Sequence, residues 1–189
     1  AEYATGNNSS AVLLTGAYAR TGEKTTLDVT QTNTNVTTAV VELKNNSLQD
    51  QTTATLVATL LDENDQVLET KTTGITGTLN GEAAQTSTIQ FGQLGSRVVV
   101  HAAAAGEDQL SFDGLPVSMN DFTADESGAL TYTISGVSAY NTLVTAISGS
   151  GETVTINGQE FDGSGSLSVS IGAGETVITV SIGSTTYTL

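Results

Sequence analysis

Apolar side chains alternate with hydroxyl-bearing ones along much of the chain, and glycine, asparagine or aspartate interrupts the alternation about every ten residues. The clearest example lies near the end, where Thr179 and Ser181 separate Ile178, Val180 and Ile182. Successive side chains of a strand point to opposite faces, so this pattern predicts a strand with one buried and one solvated face. No segment keeps apolar residues at helical spacing over three turns, so we expect almost no helix.

Strand-like runs bounded by Gly, Asn and Asp turns extend along the whole chain. They cover residues 11–19, 25–33, 36–46, 54–61, 67–76, 86–94, 97–104, 110–119, 130–137, 142–148, 153–158, 167–172, 176–183 and 185–189. The pattern pauses around 103-AAAGEDQ-109, and we place a domain boundary there. Strands of this length and spacing are typical of sandwiches. The sequence therefore predicts an all-β protein of two tandem immunoglobulin-like antiparallel β-sandwiches, residues 1–105 and 106–189.

Local features of the second half sharpen this prediction. Asn157-Gly158 is a two-residue turn sequence able to take positive φ, and it should reverse the chain after Val154–Ile156. We expect Tyr187 to be half-buried with its hydroxyl hydrogen-bonded. We expect Leu189 to lie in the core. The closing segment is thus interpreted as a scaffold.

Four stretches of the second half also carry a family resemblance: 132-YTIS-135, 143-LVTAIS-148, 153-TVTINGQ-159 and 172-GAGETVITVSIGSTTYTL-189. In this order they resemble the cadherin-like β-sandwich domain of bacterial surface proteins and large carbohydrate-active enzymes. The first half is similar to bacterial immunoglobulin-like modules, through 40-VVELKNNSLQDQTTATLVATLLDENDQVLET-70. The cadherin-like resemblance implies a non-catalytic role and brings no catalytic residues with it.

Charge limits the possible partners. The chain has 20 Asp plus Glu against 5 Lys plus Arg, a formal charge of −15. Nucleic acids and anionic membranes would repel such a surface, because phosphate binding needs clustered basic residues. The acidity fits solubility through self-repulsion, and adaptation to high salt would leave the same signature. We therefore predict no nucleic-acid partner.

Cysteine content, hydropathy and the ends of the chain bear on its compartment. The chain contains no cysteine, so it forms neither disulfides nor thiolate metal sites. It contains no run of 18 apolar residues and no basic start followed by an apolar region, so we predict no membrane insertion. It starts at Ala1 rather than at Met and stops within strand-like sequence. We expect a piece of a longer bacterial protein, located extracellularly or on the cell surface.

Few residues are candidates for catalysis or metal binding. The one histidine, His101, offers no metal triad, and no Ser and Asp placement identifies a triad with it, so we interpret it as a structural strand residue. The acidic stretches 62-DENDQ-66 and 120-NDFTADE-126 invite a calcium interpretation, but the first lacks the D-x-D-x-D-G spacing. We interpret both as solvated turns, with a weak cation site at the domain junction left open for the second. We predict no catalytic residue, metal or cofactor, and no enzyme; chance carboxylate pairs among 20 acids carry no glycosidase signal.

Sugar binding depends on exposed aromatic rings, and the chain has no Trp. Four of its aromatic residues are expected in the core or in the sandwich: Phe91, Phe112, Tyr132 and Tyr187. Tyr3, Tyr18 and Tyr140 remain as candidate ligand-binding platforms. They are scattered along the sequence.

A covalent crosslink is a further hypothesis, because adhesin domains join a Lys to an Asn beside a buried carboxylate. Lys24, Lys44 and Lys71 fall near predicted strands, and Asn is abundant. No pilin-type signature surrounds them.

Taken together, we expect a non-catalytic structural or interaction module of a larger exported bacterial surface protein, acting as a spacer or in protein docking and adhesion. The expected partners are neighbouring domains of the same polypeptide, with a cell-surface protein or a polysaccharide as further candidates. The alternative is a carbohydrate-binding module attached to a glycan-degrading enzyme.

Overall fold

A computed structural model describes residues 13–15, 27–35, 37–138 and 140–189. This part of the chain is all-β, with one short 3-10 turn at Met119–Asp121 and no α-helix. The strands are β1 (Leu13–Thr15), β2 (Leu27–Asn35), β3 (Thr38–Asn45), β4 (Ala54–Leu61), β5 (Val67–Gly74), β6 (Ala84–Gln90), β7 (Arg97–Ala104), β8 (Gln109–Phe112), β9 (Thr123–Ala124), β10 (Leu130–Thr131), β11 (Tyr140–Ile147), β12 (Val154–Ile156), β13 (Gln159–Phe161), β14 (Ser164–Ile171), β15 (Thr179–Ile182) and β16 (Thr185–Thr188). No helix in the described ranges has the length and apolar character needed to cross a membrane.

These strands form four sheets. The first sheet has the order β1-β2-β3-β6, and the second has the order β5-β4-β7. The third sheet has the order β14-β11-β8, and the fourth has the order β13-β12-β15-β16-β10-β9. Within the described residues, the pairing of β10 with β16 is parallel and the other strand pairings are antiparallel.

Two large apolar cores lie between pairs of sheets. The first core, between the first and second sheets, includes Val41 from β3, Leu60 from β4 and Val100 from β7. The second core, between the third and fourth sheets, includes Val144 from β11 and Val180 from β15. Residues of the first core come from positions before 105 and those of the second from positions after 109.

The central strands of the second and third sheets, β4 and β11, are buried on both faces. In β4, every residue from Leu56 to Leu61 is buried, and in β11 the same holds from Thr142 to Ile147. Alternate residues of each strand face one of the two large cores, and the residues between them face the other sheet. The four sheets are therefore stacked. Besides the two large cores, a third and smaller contact lies between the second and third sheets.

Several sequence-based predictions are confirmed. The strands predicted at 54–61 and 97–104 match β4 and β7, and β15 buries Val180 and Ile182 while Thr179 and Ser181 remain partly exposed. Two expectations differ in degree: Tyr187 is 8% exposed, more buried than the half-buried position predicted, and belongs to the second core, while Leu189 only packs against that core from a partly buried position. The core also includes two of the predicted aromatic residues, Phe91 and Phe112.

Other element boundaries were wrong, and each has a physical reason. The strand predicted at 110–119 stops at Phe112, because Gly114 turns the chain at a φ of 82° and Pro116 lacks the N–H that a strand would donate. The strand predicted at 130–137 ends at Thr131. By contrast, β14 begins at Ser164 rather than at 167, because Gly165 leaves room for the Phe161 ring, which an added Cβ would strike.

The Asn157-Gly158 turn is confirmed, with φ values of 47° and 82°. It joins β12 to β13, and Ile156 pairs directly with Gln159. A two-residue hairpin with positive φ at both central positions matches the right-handed twist of its strands. The residue pattern and the backbone therefore agree at this point.

We expect Gly158→Ala to lower the free energy of unfolding by about 1 kcal/mol, because an L-side chain is strained at a positive φ. Gly172→Ala is the matched control, since an added Cβ meets nothing within 4 Å at either position and only Gly158 has a left-handed φ. Urea unfolding of both variants measures the difference. Equal stability of the two variants would contradict the assigned turn geometry.

Candidate functional site

The contact between the second and third sheets, called the seam below, holds four of the eight buried polar residues in the described part of the chain. Strands β4, β5 and β7 supply one side of it, and β8, β11 and β14 supply the other. Its central residues are Val57, Thr59, Leu61, Val99, His101, Ala103, Leu143, Thr145, Ile147 and Ser166.

Two small apolar clusters hold the seam together. Val57 and Ala103 contact Ile147 in one of them, and all three residues are at most 1% exposed. Leu61 and Val99 contact Leu143 in the other. Each cluster combines two residues of the second sheet with one of the third, so burying them requires both sheets.

A chain of buried hydroxyl groups lies in the same contact. Thr59 Oγ1 donates to Ser166 Oγ at 2.9 Å, and Thr145 Oγ1 lies 2.9 Å from the same atom. All three residues are at most 5% exposed. A buried hydroxyl without a partner costs about 1–3 kcal/mol, so sliding either sheet would be unfavourable. The hydroxyls thus specify how the two sheets align.

An arginine closes one margin of the seam. Arg97 Nε donates to Asp65 Oδ1 and Arg97 Nη2 donates to Asp113 Oδ2, each at 2.8 Å. Partial burial alone would lower the pKa of the guanidinium, but its hydrogen bonds to the two carboxylates outweigh this and raise that pKa. The side chain is 41% exposed, so each ion pair contributes about 1 kcal/mol at most, and of the two only the pair with Asp113 joins the two halves of the chain.

The acidic turn at 62–66 also contacts the second half of the chain. Asp62 Oδ1 accepts from the N–H groups of Asn64 and Gln66, which fixes the shape of the turn. The side chain of Asn141 then donates to the Asn64 carbonyl at 2.8 Å. Ser168 Oγ donates to the carbonyl of Asp65. The interpretation of this stretch as a turn is confirmed, and the turn is part of the seam.

His101 lies inside the seam on β7, opposite Val57. Its Nδ1 is 3.2 Å from Ser111 Oγ, while its Nε2 is buried without a hydrogen-bond partner among the described residues. Burial lowers the pKa of the imidazole to about 4, against a smaller opposing effect of the Asp113 carboxylate. The ring is therefore neutral at neutral pH.

Of the three candidate ligand-binding tyrosines, only Tyr140 lies in the described part of the chain. Tyr3 and Tyr18 lie outside it. Tyr140 starts β11 and is half-buried; a Cβ added to Gly114 would meet its ring at 3.4 Å. Its hydroxyl is buried without a hydrogen-bond partner in the described part of the chain, and burial, with a further contribution from Asp113, raises its pKa. The structure thus places Tyr140 next to the seam.

The remaining candidate chemistry is not assembled at any one place. No group of three or more His, Cys, Asp or Glu able to hold a metal occurs in the described ranges. In the second acidic stretch, Asp125 Oδ1 accepts from the N–H groups of Ser127 and Ala129, as expected for a turn.

The crosslink hypothesis gains no site from the described lysines. Lys44 is exposed, and Lys71 Nζ forms an exposed ion pair with Glu69 at 2.7 Å. The fully buried Asn45 already uses its side-chain amide nitrogen to donate to the carbonyls of Gln49, Leu79 and Asn80. Lys24 lies outside the described residues.

The seam was not predicted from the sequence, although a signal for it exists. The runs 56-LVATLL-61, 98-VVVHAAA-104 and 143-LVTAI-147 do not alternate, and a short continuous apolar run is typical of a strand buried on both faces. The alternation elsewhere in the chain predicts strands that are buried on one face only.

Comparison with known proteins adds no relative: no protein-family model, curated protein or solved structure matches the chain.

The burial of His101 predicts how stability depends on pH. The His101 imidazole binds a proton near pH 6.5 in the unfolded chain and only near pH 4 in the folded chain. The stabilisation that the neutral ring provides is therefore complete above pH 6.5. It is lost as the pH falls from 6.5 towards 4, which lowers the free energy of unfolding by about 3 kcal/mol. His101→Asn keeps a side-chain partner for Ser111 without titrating in this range, and should lack that loss.

Because the chain contains one histidine, its imidazole signals in a proton NMR titration are unambiguous. We expect them to stay in the neutral form down to about pH 5. The buried position would be contradicted if the imidazole of the folded protein titrated near pH 6.5. It would also be contradicted if the free energy of unfolding depended on pH in the same way for the unaltered chain and for His101→Asn.

Proposed function

We propose that the chain is a non-catalytic structural and interaction module of a larger exported bacterial surface protein, which acts as a spacer or in protein docking and adhesion. In this proposal residues 1–105 and 106–189 are two immunoglobulin-like sandwiches, the second of them cadherin-like. The seam is the observation that carries the proposal, because it buries polar and apolar groups from both halves. Two modules joined in this way form one stiff block.

The lateral contact determines what such a block does mechanically. Modules joined end to end bend at a linker, whereas here β14 of the second half lies beside β4 and β5 of the first. Links between the halves occur at separate points along this contact, for example Thr72 with Ser164 and Asn141 with Asn64. A block held at several points transmits force and orientation to its neighbours in the polypeptide.

The chemistry of the described residues supports a non-catalytic role. His101 is buried and its imidazole faces the seam, where a substrate has no access. The surface is strongly acidic, which suits a crowded exterior and disfavours nucleic acids. Carbohydrate binding, the alternative, rests on Tyr3 and Tyr18 outside the described residues and on the half-buried Tyr140. We therefore propose the structural role.

Small-angle X-ray scattering tests the stiff block. A compact chain of 189 residues has a radius of gyration of about 16 Å, whereas two halves hinged end to end would exceed about 20 Å. We expect the compact value, unchanged by added salt, because the ion pairs of Arg97 are a minor part of the seam. A radius above about 20 Å for the unaltered chain would overturn the proposal.

A pair of variants links that radius to the seam. Ser166→Asp puts an unpaired charge between Thr59 and Thr145, which should separate the sheets while both large cores remain, because Ser166 belongs to neither core. Thr88→Asp is the control, at an exposed position on β6 of the first sheet, away from the seam. We expect a larger radius and two-step thermal unfolding for Ser166→Asp only.

A further inference from the structure

A pocket opens at one end of the second half, away from the residues of the seam. Residues 131–137, which include the end of β10, form one wall, and residues 174–178, which precede β15, form another. The cavity measures about 390 Å³. Ligand pockets range over about 300–1,000 Å³, so this one has the size of a site for a few side chains or a small ligand.

The pocket has an apolar floor and a polar margin. Ile178 is 2% exposed, and Leu115 and Leu189 pack from partly buried positions against the same second core. The lining residues at the margin are more exposed and include Thr133, Ser135, Glu175 and Val177. Glu175 is the only charged side chain in the lining. The site thus offers an apolar contact below and negative charge above.

The walls of the pocket also offer backbone groups. The N–H of Tyr132 donates to the Thr188 carbonyl at 3.0 Å, and Ile178 and Leu189 exchange hydrogen bonds of 2.8 and 2.9 Å. Within the described ranges, no backbone hydrogen bond involves residues 133–138 or 174–177. Residues 133–138 are irregular, with Gly136 at a φ of 76°, and their unpaired N–H and C=O groups are available to hydrogen-bond a bound peptide.

We propose that this pocket binds an extended, basic peptide segment of a partner protein. The segment lies along residues 133–138, inserts one apolar side chain towards Ile178 and Leu189, and places a Lys or Arg next to Glu175. The formal charge of −15 on the chain attracts such a segment and repels an acidic one. This inference rests on the proposed docking function and names the chemistry of the partner.

A saccharide fits the pocket less well. Tyr132 is the only aromatic residue of the lining, and it is half-buried, with its ring 6.1 Å from that of Phe122. Sugars stack on exposed ring faces, which the described part of this pocket does not provide. The free backbone groups and the single acid favour a peptide.

Selection from a phage-displayed library of random heptapeptides on the immobilised 189-residue chain tests the proposal. We expect the selected peptides to combine Lys or Arg with an apolar residue. Synthetic copies of these peptides should bind the Glu175→Lys variant about five-fold more weakly than the unaltered chain at low salt. The reason is that a lysine at position 175 repels the basic side chain of the peptide that Glu175 attracts. Val177→Ser, at a position 55% exposed, should also weaken binding without affecting folding.

Glu42→Lys is the matched control, since it makes the same charge change at an exposed position of the first sheet. It should leave the affinity nearly unchanged. Selected peptides without basic residues, equal binding to Glu175→Lys and Glu42→Lys, or no enrichment would overturn the inference. Binding of a neutral oligosaccharide that Val177→Ser abolishes would replace the peptide by a sugar. Any of these outcomes with a radius of gyration still near 16 Å would leave the structural role intact.

Discussion

The face-to-face contact of the second and third sheets determines how the rest of the molecule is arranged. Strands β4, β7 and β11 bury both faces, so each of the three contributes to a large core on one side and to the seam on the other. The seam is smaller than the two large cores, since its buried apolar residues form two clusters of three. Val57 against Ile147 and Leu61 against Leu143 provide its apolar part.

Hydroxyl groups give this contact its specificity. An apolar contact of this size tolerates sliding, whereas Thr59, Ser166 and Thr145 satisfy one another at a single alignment of the sheets. Arg97 adds a link at the margin that salt weakens. The imidazole of His101 is kept neutral by the same burial, so the one histidine of the chain reports on the integrity of the seam. Stability, pH response and proposed stiffness thus have a common origin.

The sequence predicts local structure here better than it predicts the contact between sheets. Residues 54–61 and 97–104 were predicted as strands because β-branched and apolar residues dominate them, and Asn157-Gly158 was predicted as a turn because few residues take positive φ. The seam joins positions as distant as Thr59 and Ser166, and no local pattern encodes such a pairing. From the sequence alone, Ser164 to Ser166 resembles a loop. Its place in a strand depends on contacts with the Phe161 ring and the Thr59 hydroxyl.

An engineered disulfide tests the seam most directly, because the chain has no cysteine of its own. The hydroxyl oxygens of Thr72 and Ser164 lie 3.1 Å apart across the contact. We expect Thr72→Cys with Ser164→Cys to form an intramolecular disulfide on mild oxidation, seen as a mass loss of about 2 Da in a monomer. Thr72→Cys with Thr186→Cys, whose second position lies in the fourth sheet, should keep both thiols free. Free thiols in the first pair, or disulfides only between molecules, would contradict the stacked arrangement.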